Sequence, residues 1–198
     1  MANDGVDQGK RRFLVAATSV VGAVGAGFVA VPFVASWMPS ERAKNAGAPV
    51  EVDVSKLEEG RMLTVEWQSK PVWLVRRSAE MLANLEKNND KLRDPNSEVE
   101  DQQPPYAQNA TRSIKPEILV MVGICTHLGC SPTYRPELAP EDLGEDWLGG
   151  FFCPCHSSRF DMAGRVFQGV PAPTNLVVPK HKYVSDNVIL VGEDEGAA

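Results

Sequence analysis

Two short segments hold all four cysteines and two of the three histidines of this 198-residue chain: Cys125-Thr126-His127-Leu128-Gly129-Cys130 and Cys153-Pro154-Cys155-His156-Ser157-Ser158. Thiolates and imidazoles concentrated in this way form a metal-ligand set. One iron-sulfur centre needs that mixture, a [2Fe-2S] cluster in which two histidines replace two cysteines on one iron and raise the reduction potential. Taking Cys125 and His127 with Cys153 and His156 supplies two thiolates and two imidazoles, and leaves Cys130 and Cys155 as one spare cysteine per segment. The spare pair can form a disulfide closing about 25 residues, which contributes on the order of 3 to 4 kcal/mol by loop entropy. Such a bond persists in an oxidising compartment. A structural zinc site also uses two cysteines and two histidines, but it spaces them as a cysteine pair and a histidine pair, whereas each segment here mixes one of each.

These segments do not stand alone. The second is followed by Phe160-Asp161 and Gly164-Arg165-Val166, then by Pro171-Ala172-Pro173 and by Asn175-Leu176 ahead of a strand. With those motifs the chain resembles, over nearly its whole length, the Rieske iron-sulfur subunit of bacterial quinol:cytochrome c oxidoreductases, the cytochrome bc complexes. The resemblance implies one Rieske-type [2Fe-2S] cluster, with Cys125 and Cys153 on one iron, His127 and His156 on the other, and Cys130 bonded to Cys155. It implies an electron-transfer subunit, active in the assembled complex, that takes an electron and a proton from ubiquinol and passes the electron to a c-type cytochrome. The implied partners are cytochrome b, the c-type cytochrome, ubiquinol and the membrane, in a dimeric complex. His156 is the implied proton acceptor, and therefore the catalytic residue, with His127 as its companion at the solvent edge and Leu128 shielding the cluster between them.

Residues next to the ligands tune such a site. By resemblance, the Ser158 hydroxyl bonds a bridging sulfide and the 171–173 stretch covers one side of the cluster. Phe160 stands where many family members carry a tyrosine that donates to a ligand sulfur. Loss of that bond shifts the oxidised-reduced balance by about 1 to 1.5 kcal/mol, roughly 45 to 65 mV for one electron. Two further departures from the family pattern are Ser157, where glycine is common, and Val170, where some members have glycine, so added side chains are expected to restrict the backbone there.

The amino-terminal segment points to the same compartment. Lys10-Arg11-Arg12-Phe13-Leu14 has the pattern of a twin-arginine export signal, and an uncharged stretch over 13–38 follows it. Residues 14–34 at about 1.5 Å each reach roughly 30 Å, the thickness of a bilayer core. That run exceeds the h-region of a cleaved signal peptide, so it is expected to remain as a single-pass anchor in the bacterial inner membrane, with the basic cluster inside. The expected organisation is a cytoplasmic terminus over 1–12, an anchor over 13–37, a polar tether over 38–48 and a periplasmic head over 49–198, its cluster-binding part at about 120–175.

The elements that must position the ligands read as a mainly β head of antiparallel strands with one short helix. Strands are expected over 50–54, 62–67, 71–76, 118–124 and 188–191, with 68–70 as a hairpin turn and 184 beginning a second hairpin. Ser78 caps a helix through Lys87 whose Met81, Leu82 and Leu85 share a face. Residues 90–105 read as a polar surface loop, and 142–150 as an insertion between the two ligand segments. A net charge of −6 and a pI near 5.1 make nucleic acid an unsuitable partner. A Rieske oxygenase needs a second iron held by two histidines and a carboxylate, and only His181 is left for it. A soluble Rieske ferredoxin would ordinarily lack both the anchor and the two spare cysteines. The small Rieske subunit of a periplasmic oxidase, such as arsenite oxidase, is the alternative that shares both.

Overall fold

The computed structural model describes residues 5–40 and 47–195. It divides into an amino-terminal unit within 1–45 and a head within 46–198. The tether expected over 38–48 falls mainly on residues outside those described.

The amino-terminal unit is one helix, α1 (Gln8–Ala35), and every described side chain on it is exposed. It is long and apolar enough to cross a membrane; its 28 residues extend about 42 Å at the standard rise. The helix starts ahead of the basic cluster. Asp7 caps it by accepting from the Gly9 and Lys10 amides at 2.9 and 3.2 Å, and its carboxylate suits the positive end of the helix dipole. Lys10, Arg11 and Arg12 therefore ride on the first turns.

The head contains β1 (Val50–Asp53), β2 (Met62–Trp67), β3 (Lys70–Arg76), α2 (Ala79–Lys87), β4 (Ile118–Val122), β5 (Thr133–Arg135), β6 (Gly150–Cys153), β7 (Ser158–Asp161), β8 (His181–Ser185) and β9 (Val188–Val191). They form three antiparallel sheets of order β1-β9-β8, β2-β3-β4 and β5-β6-β7. The hairpin at Gln68 and Ser69 has positive φ at both central residues, 51° and 57°, the primed turn that matches strand twist.

The β2-β3-β4 sheet has apolar residues on both faces, which explains why 118–122 is a continuous apolar run rather than an alternating one. Val72, Leu74, Ile118 and Val120 pack with Val52, Val54, Ile189 and Val191 of the β1-β9 ribbon. The intervening Trp73, Val75, Leu119 and Met121 turn the other way and pack with Phe151, Phe160, Cys125, Cys153 and Leu176. Trp73 stacks on Phe151 with ring centroids 5.2 Å apart. A Cβ on Gly123 would sit 2.2 Å from the Trp73 ring, so only glycine lets the chain leave β4 beside it. α2 forms as expected: the Ser78 hydroxyl accepts from the Met81 amide at 3.3 Å, Leu85 is buried, and Met81 and Leu82 lie against the same core.

The surface loop expected over 90–105 and the insertion expected over 142–150 are both structural. The 90–105 stretch carries buried Leu92, Ser97 and Gln103 and bridges Leu92 to Phe167, so it is a packed wall rather than a surface loop. Its polarity misleads because its polar groups satisfy backbone both locally and across the fold: the Gln103 amide donates to the Ser97 and Val99 carbonyls, and the Arg93 guanidinium to the Val170 carbonyl. In 142–150, Trp147 is buried and donates to the Arg135 carbonyl at 3.1 Å, and Asp142 takes a two-point contact from Arg135 at 2.8 Å. Gly150 already belongs to β6, where a Cβ would meet the Phe160 carbonyl at 2.0 Å.

Candidate metal centre

Three loops converge at one end of the head. The first leaves β4 and is closed on itself by Cys125 N–H to the Cys130 carbonyl at 2.7 Å and Gly129 N–H to the Cys125 carbonyl at 3.1 Å. The second joins β6 to β7, whose end residues Cys153 and Ser158 are paired in register. It turns tightly, with the Ser157 amide donating to the Cys153 carbonyl at 2.9 Å. Ser157 has φ +61°, so the restriction expected of its side chain is real. Val170 takes no positive φ; the strain expected there does not arise. The third loop runs over 167–175.

Cys130 and Cys155 are joined in a disulfide with Cα atoms 6.7 Å apart. That bond fastens the first two loops together, as expected. Cys125 and Cys153 remain free and are each 2% exposed. His127 is half-buried and His156 exposed, their rings edge to face with centroids 4.8 Å apart. Leu128, expected as a shield between them, is 71% exposed and presents an apolar side chain outward. The sulfurs of Cys130, Cys153 and Cys155 lie within 4.8 Å of one another, but the disulfide occupies two of them. The unbonded donor set at this end of the head is therefore two buried thiols and a close imidazole pair, the mixture that a two-histidine [2Fe-2S] centre takes.

Burial pushes the Cys125 thiol above its ordinary pKa, partly opposed by the His127 amide, and the Ser158 hydroxyl is also within its hydrogen-bond reach. Ser158 is fully buried, and its oxygen accepts from the Ala172 amide at 3.1 Å. Pro171 and Pro173 flank Ala172 and are exposed while Ala172 is buried, so this loop packs inward through its middle residue. Thr126 donates to the Thr174 carbonyl at 2.7 Å, a latch from the first loop to the third that sequence reasoning missed. Phe160 is buried in the core below and paired in register with Phe151; its ring offers no donor.

Behind the loops, three buried arginines hold the turn after β7. Arg77 donates to the Met162 carbonyl at 3.0 Å, and Arg112 to the Ala163 carbonyl at 3.2 Å. Arg165 pairs with buried Asp161 at 2.7 Å. Asp161 also accepts from the Ala163 and Arg165 amides at 2.9 and 2.8 Å. Burial lowers the pKa of both Arg77 and Arg112 to about 10, which leaves them charged at neutral pH. Their sequence signal is faint, because an isolated arginine looks like surface until its partners are known.

A β head of three sheets carrying this donor set at a loop-built end defines an iron-sulfur protein of the Rieske class. The family description "Rieske [2Fe-2S] domain" matches residues 48–182, and "Ubiquitinol-cytochrome C reductase Fe-S subunit TAT signal" matches 1–40. The chain is 68% identical to the ubiquinol-cytochrome c reductase iron-sulfur subunit of Allochromatium vinosum, over all of this chain and 95% of that one. It is 39% identical to the subunit of the same name from Blastochloris viridis, over 96% and 97%. It is 36% identical to the mitochondrial cytochrome b-c1 complex subunit Rieske of Candida albicans, over 96% and 81%. The chain belongs to the family of Rieske iron-sulfur subunits of ubiquinol-cytochrome c reductases, and its cofactor is a Rieske-type [2Fe-2S] cluster. The export signal expected at 10–14 lies in the matched leader. The periplasmic oxidase alternative is not the reading these relatives favour.

Proposed function

We propose that this chain is the electron-transfer subunit of a ubiquinol:cytochrome c oxidoreductase, with Cys125 and Cys153 holding one iron of its cluster and His127 and His156 the other. The observation that carries this is the meeting, from two disulfide-joined loops, of two buried free thiols with a histidine pair at the exposed end. When bound, the cluster would supply one-electron transfer, and its charge would make the imidazoles that hold it more acidic. His156, the more exposed of the two, would take the proton of ubiquinol on its imidazole. His127, half-buried, fixes the neighbouring edge. The 171–173 loop keeps water from the buried sulfurs, and exposed Leu128 offers an apolar contact to the partner subunit. Ser158 supplies a hydrogen bond to the sulfur side of the site.

The partners are cytochrome b, where ubiquinol is met, and a c-type cytochrome, in a dimeric complex. In this reading α1 spans the bacterial inner membrane once and the head works in the periplasm, where its disulfide is stable. Low-temperature EPR of membranes containing the full chain, titrated at several pH values, tests this. The expected result is a rhombic Rieske signal with a positive midpoint that falls as pH rises past the histidine pKa values. A zinc-loaded, EPR-silent protein, or a strongly negative and pH-independent midpoint, overturns it.

A further inference from the structure

The wall formed by 90–105 touches the third loop at regular intervals. Within 91–94 the Lys91 carbonyl accepts from the Gln168 amide at 2.9 Å, and the Arg93 amide donates to the Val166 carbonyl at 2.9 Å. The Leu92 carbonyl accepts from the Gln168 side chain at 2.8 Å. The Asp94 carbonyl accepts from the Asn175 side chain at 3.0 Å. The Arg93 guanidinium completes the set, donating to the Val170 carbonyl at 3.1 Å and the Pro173 carbonyl at 3.5 Å. Those two carbonyls bracket Pro171-Ala172, and Ala172 is the residue whose amide engages Ser158. Four residues thus splint the loop from 166 to 175, and one side chain grips both sides of the proline stretch.

We propose that Arg93 is a positioning residue for the metal centre: by holding 170 and 173 together it keeps the Ala172 amide on the Ser158 hydroxyl and so sets the reduction potential. The steps are local. A hydroxyl whose oxygen accepts a fixed amide has its own proton turned away from that amide, here toward the sulfur side. A donor aimed at sulfur stabilises the more negative, reduced state. Releasing the loop lets the hydroxyl rotate, and the reduced state loses that support. Arg93 does this by geometry rather than charge, since its planar fork reaches two carbonyls at once and a lysine ammonium does not.

The inference rests on the cluster reading above and has its own test. EPR-monitored redox titrations compare full-length wild type, R93Q, R93K, S158A and S158A/R93Q in membranes. At the wild-type midpoint, R93Q is expected to lower the ratio of reduced to oxidised centre about threefold, which is about 28 mV at 59 mV per tenfold. R93K is expected to match R93Q, and S158A/R93Q to match S158A, because nothing remains for the loop to orient. Hydrogen exchange of the 166–175 segment should quicken in R93Q and R93K. Should R93Q fail to load its centre, R93K carries the same comparison. A wild-type midpoint in R93K, or an equal shift from R93Q in the S158A background, overturns the positioning role. Absence of the rhombic signal in wild type instead overturns the cluster reading, and this one with it.

Discussion

The two sides of the β2-β3-β4 sheet are built on different physics. Toward the β1-β9 ribbon it buries valine, leucine and isoleucine, whose packing is non-directional and tolerates repacking. Toward the loops it joins a region where the described residues bury three arginines and one aspartate, with most of their hydrogen bonds ending on backbone carbonyls. Buried polar networks are costly when incomplete and, when satisfied, hold one geometry. The aliphatic side supplies stability in bulk, while the arginine side fixes where the ligand loops sit.

Breaking each side should therefore have different signatures. D161A leaves Arg165 buried without its partner and should cost about 3–5 kcal/mol in chemical denaturation, together with loss of the EPR signal. L74A, on the aliphatic side, should cost about 2–5 kcal/mol while the folded fraction keeps its midpoint potential. If L74A moved the potential as D161A disturbs the centre, the division between the two sides would not hold. A finer test is F160Y, which restores a donor beneath the ligand loops and should raise the potential by roughly 45 to 65 mV. An unchanged potential would show that the hydroxyl finds no sulfur there.

Smaller effects sharpen the contrast. S157G relieves a side chain at φ +61° and should stabilise the head by about 1 kcal/mol, readable as a higher Tm. His181 lies in the β1-β9-β8 sheet, buried, its Nδ1 at 2.8 Å from the Pro179 carbonyl. Burial lowers its pKa below the ordinary 6.5, with Asp194 opposing. The unfolded chain then binds the extra proton first, so stability present above pH 6.5 is lost as pH falls through that value toward the folded pKa. H181Q should flatten this part of the pH profile, measured by urea unfolding at successive pH values.

Residues whose partners lie close in sequence, or whose pattern repeats, were legible. The hairpin at 62–76, the Ser78-capped helix and the apolar run of β4 follow from local rules, and the spare-cysteine pairing followed from ligand counting and resemblance. The arginine clamps were not legible, because Arg77 meets Met162 and Arg112 meets Ala163 only after the chain has folded back. β5 is three residues long with a charged end, too short for any periodicity. The wall over 90–105 shares that difficulty: the Arg93 side chain and the Leu92 and Asp94 carbonyls find their partners only between 168 and 175. Thr126 stands between two predicted ligands, a position that could have drawn attention to it.

The pairing of β1 with β9, Val50 opposite Val191, has a consequence for biosynthesis. The ribbon that closes the aliphatic core joins the first strand of the head to its last, so it can be completed only once synthesis has passed residue 191. Such non-local closure is slow relative to hairpin formation. Until then β1 has an unpaired edge and Val52 and Val54 lack part of their cover. A chain cut short before β9 should for that reason be handled by the cell as unfinished, even though every residue around the metal site is already present.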